Sequence, residues 1–381
     1  MFGSSLTLFR VYGVDIKVDL SWAFIALLIA WSLASGYFPA AHEGLPRATY
    51  WAMGLVAVIG IFISIVVHEL AHSAVARSFG IRMDRITLFM FGGAAEMGGE
   101  PPNAQAEFWM ALAGPLASVA VAIILFLIVA LIGSEVNQPI GIILRYLAML
   151  NLVLAAFNLL PAFPLDGGRI LRSIIWGVRG NFAEATRIAT TVGAGFGFIL
   201  ALFGLVQILS GRIGDGLWIM LIGFFIRTAA LASRFDSDAK GVLSGDPVSK
   251  FMTTAPVVVA PDLAVSDFVE NVVYRTRHDA YPVVGQDGTV HGMLAVGAIA
   301  DLDRAHWADT PVRSLMTAVT PDMSIEPGAD ASDALDRMRR AQVSRLLVLE
   351  NGRLIGLLTL KDLLETLTLV MQLGDVRRKQ G

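Results

Sequence analysis

Six apolar stretches, each long enough to cross a bilayer, dictate what the first 235 residues of this chain can become. A spanning helix needs about 20 mostly apolar residues. Such stretches run over about 20–38, 50–76, 107–132, 140–163, 186–208 and 216–231. A chain of 381 residues that is 55% hydrophobic and 16% charged is too apolar for a soluble protein of that length. The first 235 residues therefore read as a polytopic α-helical membrane domain of about six spans. Lys and Arg gather in alternate connections: Arg10 and Lys17, then Arg77, Arg82 and Arg85, then Arg169, Arg172, Arg179 and Arg187, then Arg227 and Arg234. The other connections carry only Arg47 and Arg212, and Arg145 runs against the trend. By the positive-inside rule the protein is a multi-pass protein of the cell membrane with both termini in the cytoplasm. The N-terminus, with Arg10 and Lys17 and no compact apolar stretch, does not read as a cleavable signal peptide. A net charge of −3 gives no sign of a nucleic-acid partner.

The second stretch carries HELAH, His68 to His72, directly after the uncharged run Gly60–Val67. Ionisable side chains at membrane depth are costly and are usually kept for function. Four residues apart on a helix, His68 and His72 project from one face, one turn apart. Two imidazoles so placed can share one metal ion, with Glu69 beside them as a general base. The chain has no cysteine, so a zinc ion must be held by His and carboxylate groups.

A catalytic zinc takes three protein ligands and leaves a place for water. The third candidate is Asp166, at the end of the fourth stretch in NLLPAFPLDGGR, where Pro161 and Pro164 interrupt the helix. An Asp before Gly167–Gly168 could also cap a new helix, but a carboxylate on a broken span beside HELAH makes better sense facing a cation. Asn158 reads either as a group that holds substrate backbone or a tetrahedral oxyanion, or as a packing hydrogen bond. The Gly-rich stretch 86–102, with pairs Gly92–Gly93 and Gly98–Gly99, predicts a bent strand or short hairpin, a small membrane-associated strand region, at the membrane boundary. It serves either as a strand edge for an extended substrate or as a structural re-entrant loop. Gly114–Pro115 and Asn151 read as helix-packing features. His42, His278, His291 and His306 lack ligand spacing.

After about residue 235 the hydrophobic runs shorten, and a repeat of period near 64 residues begins. VSKFMTTAPVVVAPDLAVSDFVENV from Val248 matches VRSLMTAVTPDMSIEPGADASDALDRM from Val312, and YPVVGQDGTVHGMLAV matches RLLVLENGRLIGLLTL. Each copy predicts a short strand, a helix, two strands joined by a turn, and a helix. The repeat resembles a tandem pair of CBS domains, about 248–306 and 312–371, after a linker at 236–247 and before a tail at 372–381. This resemblance implies a soluble α/β regulatory module that binds an adenine nucleotide and associates as a homodimer. In GLLTLKD, Gly356, Thr359 and Asp362 match the CBS pattern for ribose and phosphate, although Thr and Asp also cap helices. The first copy has Ala295 and Ala298 at the positions of Thr359 and Asp362, so at most one good nucleotide site is expected.

HELAH together with N-x-x-P-x-x-P-L-D-G, Asn158 to Gly167, resembles the site-2 protease family of intramembrane zinc metalloproteases, over about residues 1–235. That resemblance implies one zinc held by His68, His72 and Asp166, with Glu69 activating its water. It also implies a single-span membrane protein as substrate, of the anti-sigma-factor or pro-protein type, cut near the cytoplasmic side. The alternative from another class is a divalent-cation transporter or channel with a CBS sensor. Glu69 speaks against it, because a transport path has no special need for a glutamate inside an HExxH helix.

Overall fold

The computed structural model describes residues 5–81, 83–89, 92–97, 100–132 and 138–379. Arg82 and the Gly98–Gly99 pair lie outside the described residues. The chain divides into two compact units, Met1–Phe235 and Asp236–Gly381.

The first unit opens with strands β1 (Ser5–Val11) and β2 (Val14–Asp19). Asp19 then caps α1 (Leu20–Ser32) by accepting the Ser21 N–H at 2.9 Å. A π-helical turn, Leu33–Tyr37, and a short α2 (Phe38–Ala41) continue the first span. Helix α3 (Arg47–Ser78) begins after Pro46 and ends before Gly80, whose φ of +80° favours glycine. Strands β3 (Met83–Phe89) and β4 (Gly92–Met97) follow. Next come α4 (Ala104–Ile132), α5 (Pro139–Asn158), α6 (Asp166–Arg179), α7 (Phe182–Leu209) and α8 (Ile213–Leu243).

Among the described residues, six helical segments are long and apolar enough to cross a membrane: Leu20–Ala41, Arg47–Ser78, Ala104–Ile132, Pro139–Asn158, Phe182–Leu209 and Ile213–Leu243. The protein is therefore a multi-pass α-helical membrane protein, as the apolar runs predict. The fourth span is shorter than expected. It stops at Asn158 rather than near 163, because the two prolines force residues 159–165 into an irregular turn before α6. Asn151 joins α5 to α3 by donating to Ser64 Oγ at 2.9 Å, the interhelical role its sequence context suggests.

The expected hairpin, β3–β4, forms part of a larger strand region. β1 to β4 form one sheet in sequence order, with β1–β2 and β3–β4 antiparallel and β2–β3 parallel. Alternation explains it: Val14 and Ile16 of β2, with Ile86 and Leu88 of β3, are buried with Val66 and Ala76 of α3 and Met110 of α4. β4 lies at an edge of this sheet.

In the second unit, the first copy contains β5 (Thr253–Thr254), helical turns α9 (Val265–Phe268) and α10 (Tyr274–Thr276), β6 (Ala280–Val284) and β7 (Val290–Ala295). The second contains β8 (Thr317–Ala318), β9 (Ser324–Ile325), α11 (Ala331–Ala341), β10 (Arg345–Glu350), β11 (Arg353–Thr359) and α12 (Leu360–Lys379). The copies exchange their first strands: β5 pairs with β11, and β8 pairs with β7. Leu347 packs with Ala280 and Met293 between them, and Arg345 binds Asp279 at 2.8 Å. Residues 236–243, read from sequence as linker, belong to α8, and Ala239 and Leu243 are buried in the second copy's core.

Candidate metal centre

Helical spacing brings His68 and His72 together as the HELAH pattern requires. Their rings meet edge-on with centroids 4.8 Å apart, and their Nε2 atoms are 3.1 Å apart. The turn after α5 delivers Asp166 to the same point. Leu165 occupies the N-cap position of α6 and Asp166 opens the helix, so its carboxylate is not spent on capping. Asp166 Oδ2 lies 3.2 Å from both Nε2 atoms. All three residues are buried, at 4%, 7% and 7% exposure.

The far side of each imidazole is engaged by α4. His72 Nδ1–H donates to the Met110 carbonyl at 2.6 Å. A carbonyl only accepts, so Nδ1 carries a proton, and in the neutral imidazole Nε2 is the lone pair open to a metal ion. His68 Nδ1 meets Ser118 Oγ at 2.9 Å, which lets that ring adopt the same tautomer. Two lone pairs and a carboxylate repel one another until a cation sits among them. Corners of a tetrahedron around zinc, with bonds of about 2.0–2.1 Å, lie roughly 3.3 Å apart. The observed separations of 3.1 and 3.2 Å match three such corners, and the N, N, O donor set suits zinc.

One face of α4 frames this cluster. Gly114 lies between Met110 and Ser118, and a Cβ built on it would fall 2.2 Å from His72 Nε2 and 2.6 Å from His68 Nε2. Gly114–Pro115 reads from sequence as packing around the site, but the engagement of the imidazoles by Met110 and Ser118 of this face was not evident. Its signal was present in Glu107, Gly114 and Ser118, whose spacing puts them on one stripe of an otherwise apolar helix.

Glu69 follows His68 on α3, and Gly93 of β4 packs directly on it. A Cβ on Gly93 would fall 2.7 Å from Glu69 Cγ and Oε1. Gly92 pairs with Phe89 across the hairpin. Asn158 is the last residue of α5, and its side-chain N–H donates to Leu154 O at 3.0 Å, within its own helix. In the CBS unit, Gly356 of β11 pairs with Thr254. Thr359 and Asp362 bond one another, with Oγ1 to Oδ2 at 2.7 Å, and each accepts the other's backbone N–H. That reciprocal pattern caps α12.

The family model of peptidase family M50 matches residues 56–142 and 133–202. The CBS domain model matches 248–303 and 312–368. The zinc metalloprotease Rip3 of Mycobacterium tuberculosis is 32% identical over 360 residues, 94% of this chain and 91% of that protein. Zinc metalloprotease MJ0392 of Methanocaldococcus jannaschii is 29% identical over 368 residues, 96% and 97% of the two chains. Among solved structures, the Site-2 Protease from Methanocaldococcus jannaschii aligns with 61% of this chain and 95% of that one, at 30% identity and a TM-score of 0.44. Both halves are matched in full-length relatives named as zinc metalloproteases, which removes the support for a transporter. The chain belongs to peptidase family M50, the membrane-embedded site-2 protease family of zinc metalloproteases, as a member with a tandem CBS pair.

Proposed function

We propose that this protease cuts a single-span membrane protein, of the anti-sigma-factor or pro-protein type, near the cytoplasmic end of its span, as a step of regulated intramembrane proteolysis. The observation that carries the reading is the buried triangle of His68, His72 and Asp166, with the far nitrogen of each imidazole engaged by α4. These three residues hold one zinc per chain. Zinc, when bound, acidifies a water toward a pKa of about 7 and polarises the scissile carbonyl. Glu69 takes the proton of the attacking water and returns it to the leaving nitrogen.

A helical substrate hides its carbonyls in hydrogen bonds, so the cut segment must be extended. The β4 edge offers backbone groups for such a strand, and Gly93 keeps that edge against Glu69. Asn158, at the mouth of the turn that leads to Asp166, contributes a polar amide for substrate backbone or the oxyanion. The termini and the CBS pair face the cytoplasm, by the distribution of Lys and Arg. The CBS pair acts as a regulatory module with one adenine-nucleotide site at Gly356, Thr359 and Asp362, and it supports a homodimer.

The test is zinc content and cleavage of a model single-span substrate by detergent-purified protein. Wild type and Glu69→Gln are expected to carry about one zinc, with cleavage lost only in the variant, and Asp166→Ala is expected to lose the zinc. Zinc retained without Asp166, or cleavage by Glu69→Gln, would break the assignment.

A further inference from the structure

Glu107 stands in the first turn of α4 and is fully buried. Its Oε1 accepts from Arg172 Nε at 2.8 Å and from Arg172 Nη2, while its Oε2 has no hydrogen-bond partner among the described residues. Arg172 lies on α6, six residues after Asp166. Its guanidinium covers the rings of Phe163 and Phe182, at 5.0 and 4.7 Å from their centroids, and Nη1 is 3.5 Å from Thr186 Oγ1. One side chain thus joins α4, the turn before Asp166, α6 and the start of α7.

A buried ion pair is a poor device for stability alone, because apolar residues of similar volume often serve as well or better. Its directional bonds do something apolar packing does less well: they fix register. Register matters here because the site is split between helices. α4 carries Met110 and Ser118, which orient the two imidazoles, and α6 carries the carboxylate that must meet them. Glu107 lies on the same face of α4 as Met110, Gly114 and Ser118. Arg172 is about 9 Å along α6 from Asp166. Phe163, beneath the guanidinium, precedes Asp166 by three residues. A slide of α6 along α4 would carry Asp166 away from both imidazoles.

We propose that Glu107 and Arg172 form a positioning pair for the metal centre, which holds α6 in the register that sets Asp166 against His68 and His72. The proposal rests on the reading of those three residues as the zinc ligands. It predicts a metal-affinity effect separable from folding.

The experiment compares detergent-purified full-length wild type, Asp166→Ala, Arg172→Lys and the double variant Glu107→Leu with Arg172→Met. Zinc affinity is measured by chelator competition, the ligand field by the visible spectrum of the Co2+-loaded protein, and folding by thermal unfolding. The double variant is expected to unfold near the wild-type temperature, to bind zinc about 10- to 100-fold more weakly, and to show an altered Co2+ spectrum. Arg172→Lys keeps the charge but loses the planar fork, so it is expected to fold and to lose about tenfold in affinity. It decides the question if the double variant does not fold. Wild-type affinity and spectrum in a folded variant, with Asp166→Ala still zinc-free, would overturn the positioning role and leave the metal site standing. Zinc missing from wild type, or kept by Asp166→Ala, would remove the metal site itself and the proposal with it.

Discussion

Replacing Gly114 with alanine puts a methyl group where both imidazoles point. The new Cβ would sit 2.2 Å from His72 Nε2 and 2.6 Å from His68 Nε2, against an ordinary contact near 3.5 Å. The overlap of about 1 Å cannot be relieved by swinging His72 aside, because its Nδ1–H is held by the Met110 carbonyl. A zinc ion about 2.0–2.1 Å from each Nε2 competes with that methyl for the same space. The expected loss of zinc affinity is at least about a hundredfold, or roughly 2.8 kcal/mol. Folding should suffer less. Alanine is the better helix former by about 1 kcal/mol, which offsets part of an overpacking cost of about 1–3 kcal/mol. The assay pairs zinc content by mass spectrometry with thermal unfolding in detergent. Gly195→Ala is the control, since no atom of the described residues lies within 4 Å of a Cβ at that position of α7. Gly114→Ala that binds zinc as tightly as Gly195→Ala would refute the argument that this glycine keeps the metal position open.

Two further outcomes are expected. Gly93→Val drives a side chain into Glu69, which is not one of the proposed metal ligands, so zinc content should stay near one per chain while kcat falls about a hundredfold; zinc loss in parallel with activity would contradict this. Asp330 caps α11 through Ser332 N–H and accepts Gly245 N–H at 2.7 Å, bonds that lower its pKa from the ordinary value. The fold thus favours the ionised form. Its contribution is complete above the unfolded value of about 3.9 and fades as pH falls through the lower folded value. Asp330→Ala should cost the CBS unit about 1 kcal/mol at pH 7, with the gap to wild type closing toward pH 3; a gap that widens on acidification would show the opposite sign.

Much of the candidate metal centre was legible because its signals are local. A span is recognised by a run of apolar residues, and the HExxH pair by the helical period, which sets His68 and His72 on one face whatever surrounds them. Asp166 was legible because Pro161 and Pro164 must break a helix and expose a carboxylate where one is costly. Apolar patterning also placed the six spans, although it ran the fourth past its true end at Asn158.

What the local pattern could not carry is how one helix is rotated against the next. The contacts of His72 with Met110 and of His68 with Ser118 join residues 38 and 50 positions apart, and they exist only because α4 turns one stripe toward α3. The β1–β2 strands joining β3 across the whole of α3, and the exchange of β5 and β8 between the CBS copies, are non-local in the same way. Helix period and hydropathy determine which residues share a face. Which face meets which neighbour is settled by close packing, where small residues such as Gly93 and Gly114 let backbone approach a functional group. The sequence by itself determined the membrane spans and named the candidate metal donors; tertiary packing alone decided what orients those side chains and leaves room among them.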